Sequence, residues 1–316
     1  MQAYVTRRLL LTIPTLLLVS LAIFSMVRII PGDVVLERIG ELTPLGPSER
    51  QRVTKELGLD RPFFSQYGVW LGDSLRGDLG RSLISDRSVS KELLRTLPVS
   101  AELALLAILI SLAVSIPLGI LAAIRRNTII DYGSRFFSIL GLAVPDFWVG
   151  TVVVLGLAIY FDWSPPVGYA SLIHDPRKNL LQFVLPSLIL GLTLAASTAR
   201  MTRSAMLEVL QEDYIRTAYS KGLRERTVVL RHALKNAFIP VITIIGARVA
   251  RLVGGAIVLE SIFSLPGVGR LTLQAVLQRD YTMIQGTVIF LAGLIIASNL
   301  IVDLCYAWLD PRIHYT

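Results

Sequence analysis

An all-α integral membrane protein with six transmembrane helices is the fold class this sequence predicts, on three observations. Of its 316 residues 53% are hydrophobic, more than an ordinary soluble domain of this size carries. Six apolar stretches, at about 9–30, 99–123, 136–161, 181–199, 238–259 and 284–308, are long enough to cross a hydrocarbon core of roughly 30 Å, which takes about 20 residues as a helix. Finally, the basic residues gather in alternate connections between those stretches.

The first stretch follows Arg7 and Arg8. That charge pattern also opens a signal peptide, but the apolar run is long and no small-x-small cleavage site follows closely, so an uncleaved anchor is expected. Arg125, Arg126 and Arg135 lie between spans two and three. Arg200, Arg203, Arg216, Lys221, Arg224, Arg226, Arg231 and Lys235 lie between spans four and five. The connections 162–180 and 260–283 are close to neutral. The positive-inside rule then puts the N-terminus, 124–135 and 200–237 in the cytoplasm, and an even number of spans returns the C-terminus there. The formal charge of +8 is thereby topology and not a nucleic-acid footprint.

Segment 31–98 is exported in this topology. It has about ten basic and ten acidic residues, and a long loop crosses regardless of charge. Its Gly and Pro punctuation predicts short helices and turns rather than strands. Leu71, Leu75, Leu79 and Leu83 recur every four residues, an apolar stripe if helical, which either rests on the bundle or docks an external partner. Pro117, Pro145 and Pro186 predict kinks or entry points in or near spans. Stretch 260–281 is too short and interrupted to span; its LPGVGR core reads as a turn dipping toward the membrane. Cys305 is the single cysteine, so no intrachain disulfide holds the exported loop. No internal repeat or low-complexity segment is found.

The chemistry-bearing motifs are missing. There is no G-x-x-x-x-G-K-[ST] loop to cradle a nucleotide phosphate, and no G-x-S-x-G, H-E-x-x-H or C-x-x-C. His174, His232 and His314 are scattered, and no metal site is expected. Ion-coupled carriers place ionisable groups deep in their spans. Here the deep groups are Arg248 and Arg251, one helical face in span five, and Asp303 in span six, with Arg28 close enough to an interface to snorkel. The arginine pair is either structural, held by Asp303 or backbone carbonyls, or a basic lining that meets a carboxylate-bearing substrate.

One segment contrasts with all of this. EDYIRTAYSKGLRERTVVLRHALKN, 212–236, carries nine charges between two apolar spans. Met206, Val209, Leu210 and Asp213 follow a helical spacing before Gly222. After it Leu230, Ala233, Leu234 and Ala237 form an apolar stripe, opposed by Arg224, Thr227, Arg231 and Lys235. Lys221-Gly222 suits a helix end, since glycine readily takes the left-handed cap conformation. Ala218 and Ser220 are small and would permit close approach. A basic helix on the anionic inner leaflet and a helix docked into a soluble partner both fit this pattern.

DYIRTAYSKGL followed by LRHALKNAFIPVITIIG resembles the cytoplasmic coupling segment of ABC-transporter permeases, and more narrowly the dipeptide/oligopeptide/nickel import family. RIIPGD, LGLDRPFFSQY, RGDLGRS, LPVSAELALLA, IPLGILAAIRRN, VPDFWVG, LPSLILG, VLESIFSLPGVGRL, RDYTMIQG and LDPRI extend the resemblance along nearly the whole chain. The general importer signature has Glu-Ala-Ala, three residues, Gly and later Ile-x-Leu-Pro. This chain has Arg216, Thr217 and Ala218 in the first triplet, and His232, Leu234 and Lys235 in the later positions, a departure typical of the peptide branch.

The resemblance implies a type I ABC importer permease fold in the cytoplasmic membrane. It implies an N-terminal region, 1–95, with one span and the exported segment, and a five-helix core, 96–309, with the coupling loop 200–237. Two homologous permease subunits would form the path for di- or oligopeptides, and two cytoplasmic ATPase subunits would bind ATP and Mg. An external binding protein would deliver substrate; this chain itself would be no enzyme. The ATPase-coupling residues would be Asp213, Arg216, Thr217, Ala218, Lys221 and Gly222. Pro266, Gly267 and Gly269 would belong to an external gate, while Arg248 and Arg251, in a stretch where relatives are expected to be mostly small or uncharged, would either line the substrate pathway and tune its choice or simply be accommodated. The competing readings from the residues alone are a stand-alone ion-coupled carrier or channel and a non-transporting membrane scaffold.

Overall fold

The computed structural model describes the backbone of residues 2–29 and 60–309. The chain divides into two compact units, one of Met1–Pro98 with Gly267–Ala297, the other of Val99–Pro266 with the residues from Ser298. The described residues are helical apart from turns and one isolated bridge between Arg81 and Ser88. Among the described residues three helices can each cross a membrane by length and composition: α3 (Val89–Ile124), α6 (Pro176–Val209) and α11 (Tyr281–Leu309), the last over Tyr281–Ile301. The expected spans at 9–30 and 238–259 coincide with α1 (Gln2–Ile29) and α8 (Leu234–Gly255), whose side chains lie partly outside the described residues.

The expected span 136–161 is not one straight helix. It is α4 (Ile129–Ala143) and α5 (Asp146–Phe161), which are long and apolar enough to span only together and are bent by 90°. The break falls at Val144, whose φ of −95° and ψ of 122° are extended, the conformation a residue before proline prefers. Pro117 and Pro186, by contrast, sit inside helices that run on without interruption, as membrane helices tolerate when neighbours satisfy the freed backbone.

In the first unit α1 meets α2 (Phe63–Leu75) through aromatic packing. The buried Phe24 ring lies 5.3 Å from Phe63 and 5.4 Å from both Tyr67 and Trp70, and Ser20 hydrogen-bonds the Tyr67 hydroxyl at 2.8 Å. The stripe expected over Leu71 to Leu83 is cut short. α2 ends at Leu75, which is 81% exposed, and Gly77 turns the chain at a φ of 84°. The loop that follows is held by a buried carboxylate at the start of α11. Asp280 accepts from the Ser82 hydroxyl, from the Leu83 amide at 3.2 Å and from the Met283 amide at 3.1 Å. RGDLGRS and RDYTMIQG, two hundred residues apart, are therefore the two halves of one fastening.

In the second unit α6 is the central helix. The 99–124 stretch of α3 lies against it so closely that a Cβ at Gly191 would stand 2.9 Å from the Ala107 carbonyl oxygen. Small residues on α6, among them Ala195, Ala196 and Ala199, are fully buried, which is how membrane helices bring their backbones together without a hydrophobic drive of their own. A first core joins Leu103, Phe183, Leu190, Leu252, Leu259 and Phe263, bringing α9 (Ile257–Ile262) against α5. Loop 162–175 needs no disulfide, because α6 grips it. Asn179 donates to the Ala170 carbonyl at 2.8 Å, and Gln182 donates to Gly168 at 3.0 Å while accepting from Ala170 N at 3.0 Å.

The surface of these helices is apolar. Leu18, Phe136, Ile139, Leu155 and Ile159 are all more than half exposed, a pattern expected where lipid and not water is the neighbour. Several helix threonines satisfy their hydroxyls accordingly. Thr151, Thr193, Thr202 and Thr287 each donate to the carbonyl four residues back.

Candidate functional site

The charged segment begins where α6 stops. Val209 is the last helical residue, and the chain turns through 210–212 before α7 (Asp213–Ser220) starts. The spacing expected to run from Met206 through Asp213 is therefore interrupted. Met206 is buried in a second core, and Asp213 opens a new helix. α7 buries only two residues, Ile215 and Ala218, three apart and so on one face. They pack with Ile120, Ala205, Met206, Val228, Ala233 and their neighbours. Everything else from 211 to 226 is exposed. The second core is a small anchor from which a polar strip projects.

Gly222 ends α7 with a φ of 76°, and its amide donates to the Tyr219 carbonyl at 2.9 Å. Nothing lies within 4 Å of where its Cβ would be, so the glycine is required by the turn and not by crowding. The helix that resumes at Glu225 passes through a π-helical turn, Val228–Ala233, and continues as α8. This corrects the predicted stripe. A π turn is wider than an α turn, so each residue rotates the chain by less than the α-helical ~100°. Leu230 is thereby turned outward and is 48% exposed, whereas Val228, Val229, Ala233, Ala237 and Val241 are buried. Asn236 fastens α8 back to α7, donating to the Tyr214 hydroxyl at 2.7 Å.

Of the expected coupling residues, Asp213, Arg216, Thr217, Lys221 and Gly222 share this exposed strip. Asp213 and Arg216 approach to 3.5 Å, with side chains 96% and 77% exposed, a pair that contributes almost nothing to stability. Ala218 faces the other way, 7% exposed, so its small size serves packing within the chain. The sequence reading missed Tyr214, Tyr219 and Leu223, which are exposed along the same strip. Tyrosines standing out of a charged helix are the type of side chain that anchors protein interfaces, and the two in DYIRTAYS were the available signal. Arg248 and Arg251 fall within α8, but their side chains lie outside the described residues, as do those of Asp303 and Cys305 in α11. Pro266 and Gly267 lead into α10 (Val268–Leu277), and Gly269 is its second residue; both glycines are buried.

A second feature joins the two basic connections. Asp131, fully buried near the start of α4, accepts from Arg203 of α6 at 2.6 and 3.0 Å, from Arg135 at 3.1 and 2.8 Å, and from the Asn127 amide at 3.0 Å. The i,i+4 spacing of Asp131 and Arg135 is readable in sequence. The contact with Arg203, 72 residues away, is not. Among the described residues no cluster of His, Cys, Asp or Glu could hold a metal ion.

Comparison with known proteins agrees with this architecture. Residues 115–315 match the model of the family described as binding-protein-dependent transport system inner membrane component, and residues 1–104 match that of its N-terminal region. A Brucella suis protein provisionally named as a peptide transport system permease is 41% identical over the full length of both chains. The oligopeptide transport system permease protein AppB of Bacillus subtilis is 38% identical, covering all of both chains. The dipeptide transport system permease protein DppB of Escherichia coli K12 is also 38% identical, over all of this chain and 99% of that one. Among solved structures, an inward-facing MetNI methionine ABC transporter chain shares the fold, with a TM-score of 0.55 over 69% of this chain and 96% of that one at 16% identity. With more than half its length matched by the family model and full-length relatives at this identity, the chain belongs to the binding-protein-dependent transport system inner membrane component family.

Proposed function

We propose that this chain is one permease half of an ATP-driven peptide importer of the cytoplasmic membrane, with both termini in the cytoplasm. The observation that carries the coupling assignment is the strip 211–226, exposed except for Ile215 and Ala218. A helix lying on lipid would turn its apolar face to the membrane, whereas here that face is used up inside the chain and the outward face is charge and tyrosine. Such a face fits a soluble partner, and in our reading that partner is a cytoplasmic ATPase that binds ATP and Mg, in keeping with the transport-system family to which the chain belongs. A second homologous permease, a second ATPase subunit and an external binding protein complete the assembly. The N-terminal region 1–95 and the core 96–309 retain their proposed roles. Pro266, Gly267 and Gly269 serve the external gate, and Arg248 and Arg251 the peptide path.

The test is peptide uptake by vesicles carrying the complete transporter. Asp213→Lys, Arg216→Glu and Gly222→Val are each expected to lower uptake while the chain stays in the membrane and ATP hydrolysis continues. Unchanged uptake in all three sinks the coupling assignment. Gradient-driven flux through the purified chain alone in liposomes would establish the carrier in its place.

A further inference from the structure

Beside the Asp131 clamp, between α4 and α6, lies a pocket of about 550 Å³. Four arginines line it, Arg126, Arg135, Arg200 and Arg203. The carboxylate that meets them, Asp131, is already committed to Arg135 and Arg203. Among the described residues neither Arg126 nor Arg200 pairs with an acid, and both are exposed. Four guanidiniums around one cavity with a single carboxylate between them leave a net positive charge there, which favours the entry of an anion.

Two residues of the lining carry buried hydroxyls that have nothing to bind. Ser134 and Ser138, one turn apart on α4 and 1% and 2% exposed, line the cavity, and neither Oγ has a hydrogen-bond partner. Unlike the threonines above, these side chains do not turn back to their own helix. A buried hydroxyl without a partner costs about 1–3 kcal/mol, and an anion rich in acceptor oxygens would satisfy both. Forked guanidinium donors match phosphate oxygens in pairs, and the volume far exceeds the roughly 30 Å³ share of one water. The remaining lining includes apolar Ile139 and Leu207, and Phe136 and Ile139 on the same helix are each 66% exposed.

We propose that this pocket binds a phosphate-bearing anion, with Arg126 and Arg200 supplying the uncommitted charge and Ser134 and Ser138 the inner hydrogen bonds. The ligand is either the phosphodiester headgroup of an anionic lipid, whose chains would lie over Phe136 and Ile139, or free phosphate. No residue of its lining belongs to the coupling strip or is among those assigned to the peptide path, and the proposal stands whether or not the importer reading does.

The test uses the purified, delipidated full-length chain. In one arm, native mass spectrometry measures retention of added phosphatidylglycerol; in the other, calorimetry measures binding of inorganic phosphate. Binding in either arm is expected, and the arm that responds identifies the source. The Arg126→Gln/Arg200→Gln double variant leaves the Asp131 clamp intact and is expected to weaken binding about thirtyfold, roughly a factor of five for each charge. Ser138→Ala is expected to weaken it several-fold. No binding in either arm overturns the proposal, and so does a double variant that elutes as a monodisperse chain and binds as tightly as the parent.

Discussion

Replacing Asp131 by asparagine exchanges a single oxygen for an NH2 group, yet the structure makes it costly. The carboxylate receives five donated hydrogen bonds, with the two Nε donors on Oδ1 and the two Nη2 donors plus the Asn127 amide on Oδ2. An amide keeps one acceptor oxygen and turns the other position into a donor. Whichever way it rotates, at least two N–H groups then face an N–H, and two guanidiniums lose their counter-charge. Breaking a buried ion pair costs about 3–5 kcal/mol. The Arg203 side chain is only 15% exposed and cannot escape, whereas Arg135 is 44% exposed and can turn to water, which sets the expectation near the lower bound, about 3 kcal/mol. At roughly 2–4 °C per kcal/mol the melting midpoint should fall by about 6–12 °C. The assay is tryptophan fluorescence of the detergent-purified chain during heating. Arg203→Met should cost a similar amount alone and under about 1 kcal/mol once Asp131 is already asparagine. A midpoint within about 2 °C of the parent, or full additivity of the two substitutions, would refute the assignment of the clamp.

Other substitutions probe separate elements. Gly191→Val should disrupt the α3–α6 contact, because its Cβ meets a backbone carbonyl that cannot move aside; the loss should reach about 1–3 kcal/mol or more, read as lower thermal stability, and a neutral outcome would contradict the packing. Asp280→Ala should free the Ser82–Leu83 loop and speed cleavage of an otherwise intact chain near 81–88 by added protease, an effect the exposed neighbour Asp78→Ala should not reproduce. Ile215→Ala empties a buried site in the second core at about 2–5 kcal/mol, whereas Tyr219→Ala on the opposite face should leave stability unchanged and lower uptake, so equal stability losses would show that the two faces are misassigned. Arg248→Gln with Arg251→Gln should alter which peptides are taken up; if the pattern across a peptide panel persists and only the amount of protein falls, the pair is structural.

Apolar length made the long helices legible, since no other structure hides twenty apolar residues in lipid. Direction was not legible in the same way. Hydropathy sums over 136–161 regardless of bend, and three prolines of equal standing in the sequence had different outcomes, with only Pro145 preceded by an extended residue. The exposed strip after Asp213 was readable from its charges. Its inner face was not, because a π turn moves Leu230 off the stripe that an α-helical period assigns to it. Arg135 and Arg203 were legible as topology signals, but their convergence on Asp131 depends on two helices meeting and leaves no local pattern.

The fastening between Ser82 and Asp280 bears on the order in which the chain is completed during synthesis. It joins residues 198 apart, and the unit it belongs to is finished only by Gly267–Ala297. The other unit has both of its cores within Val99–Leu265. A ribosome delivers the chain from the N-terminus at roughly 5–20 residues per second. The later-encoded unit thus has its core residues available first, while the first-made helices must wait for α11 before the loop after α2 finds its carboxylate. The loop after α2 is made early and fastened late, which makes the segment around Ser82 the point at which a truncated chain would betray itself to quality-control proteases.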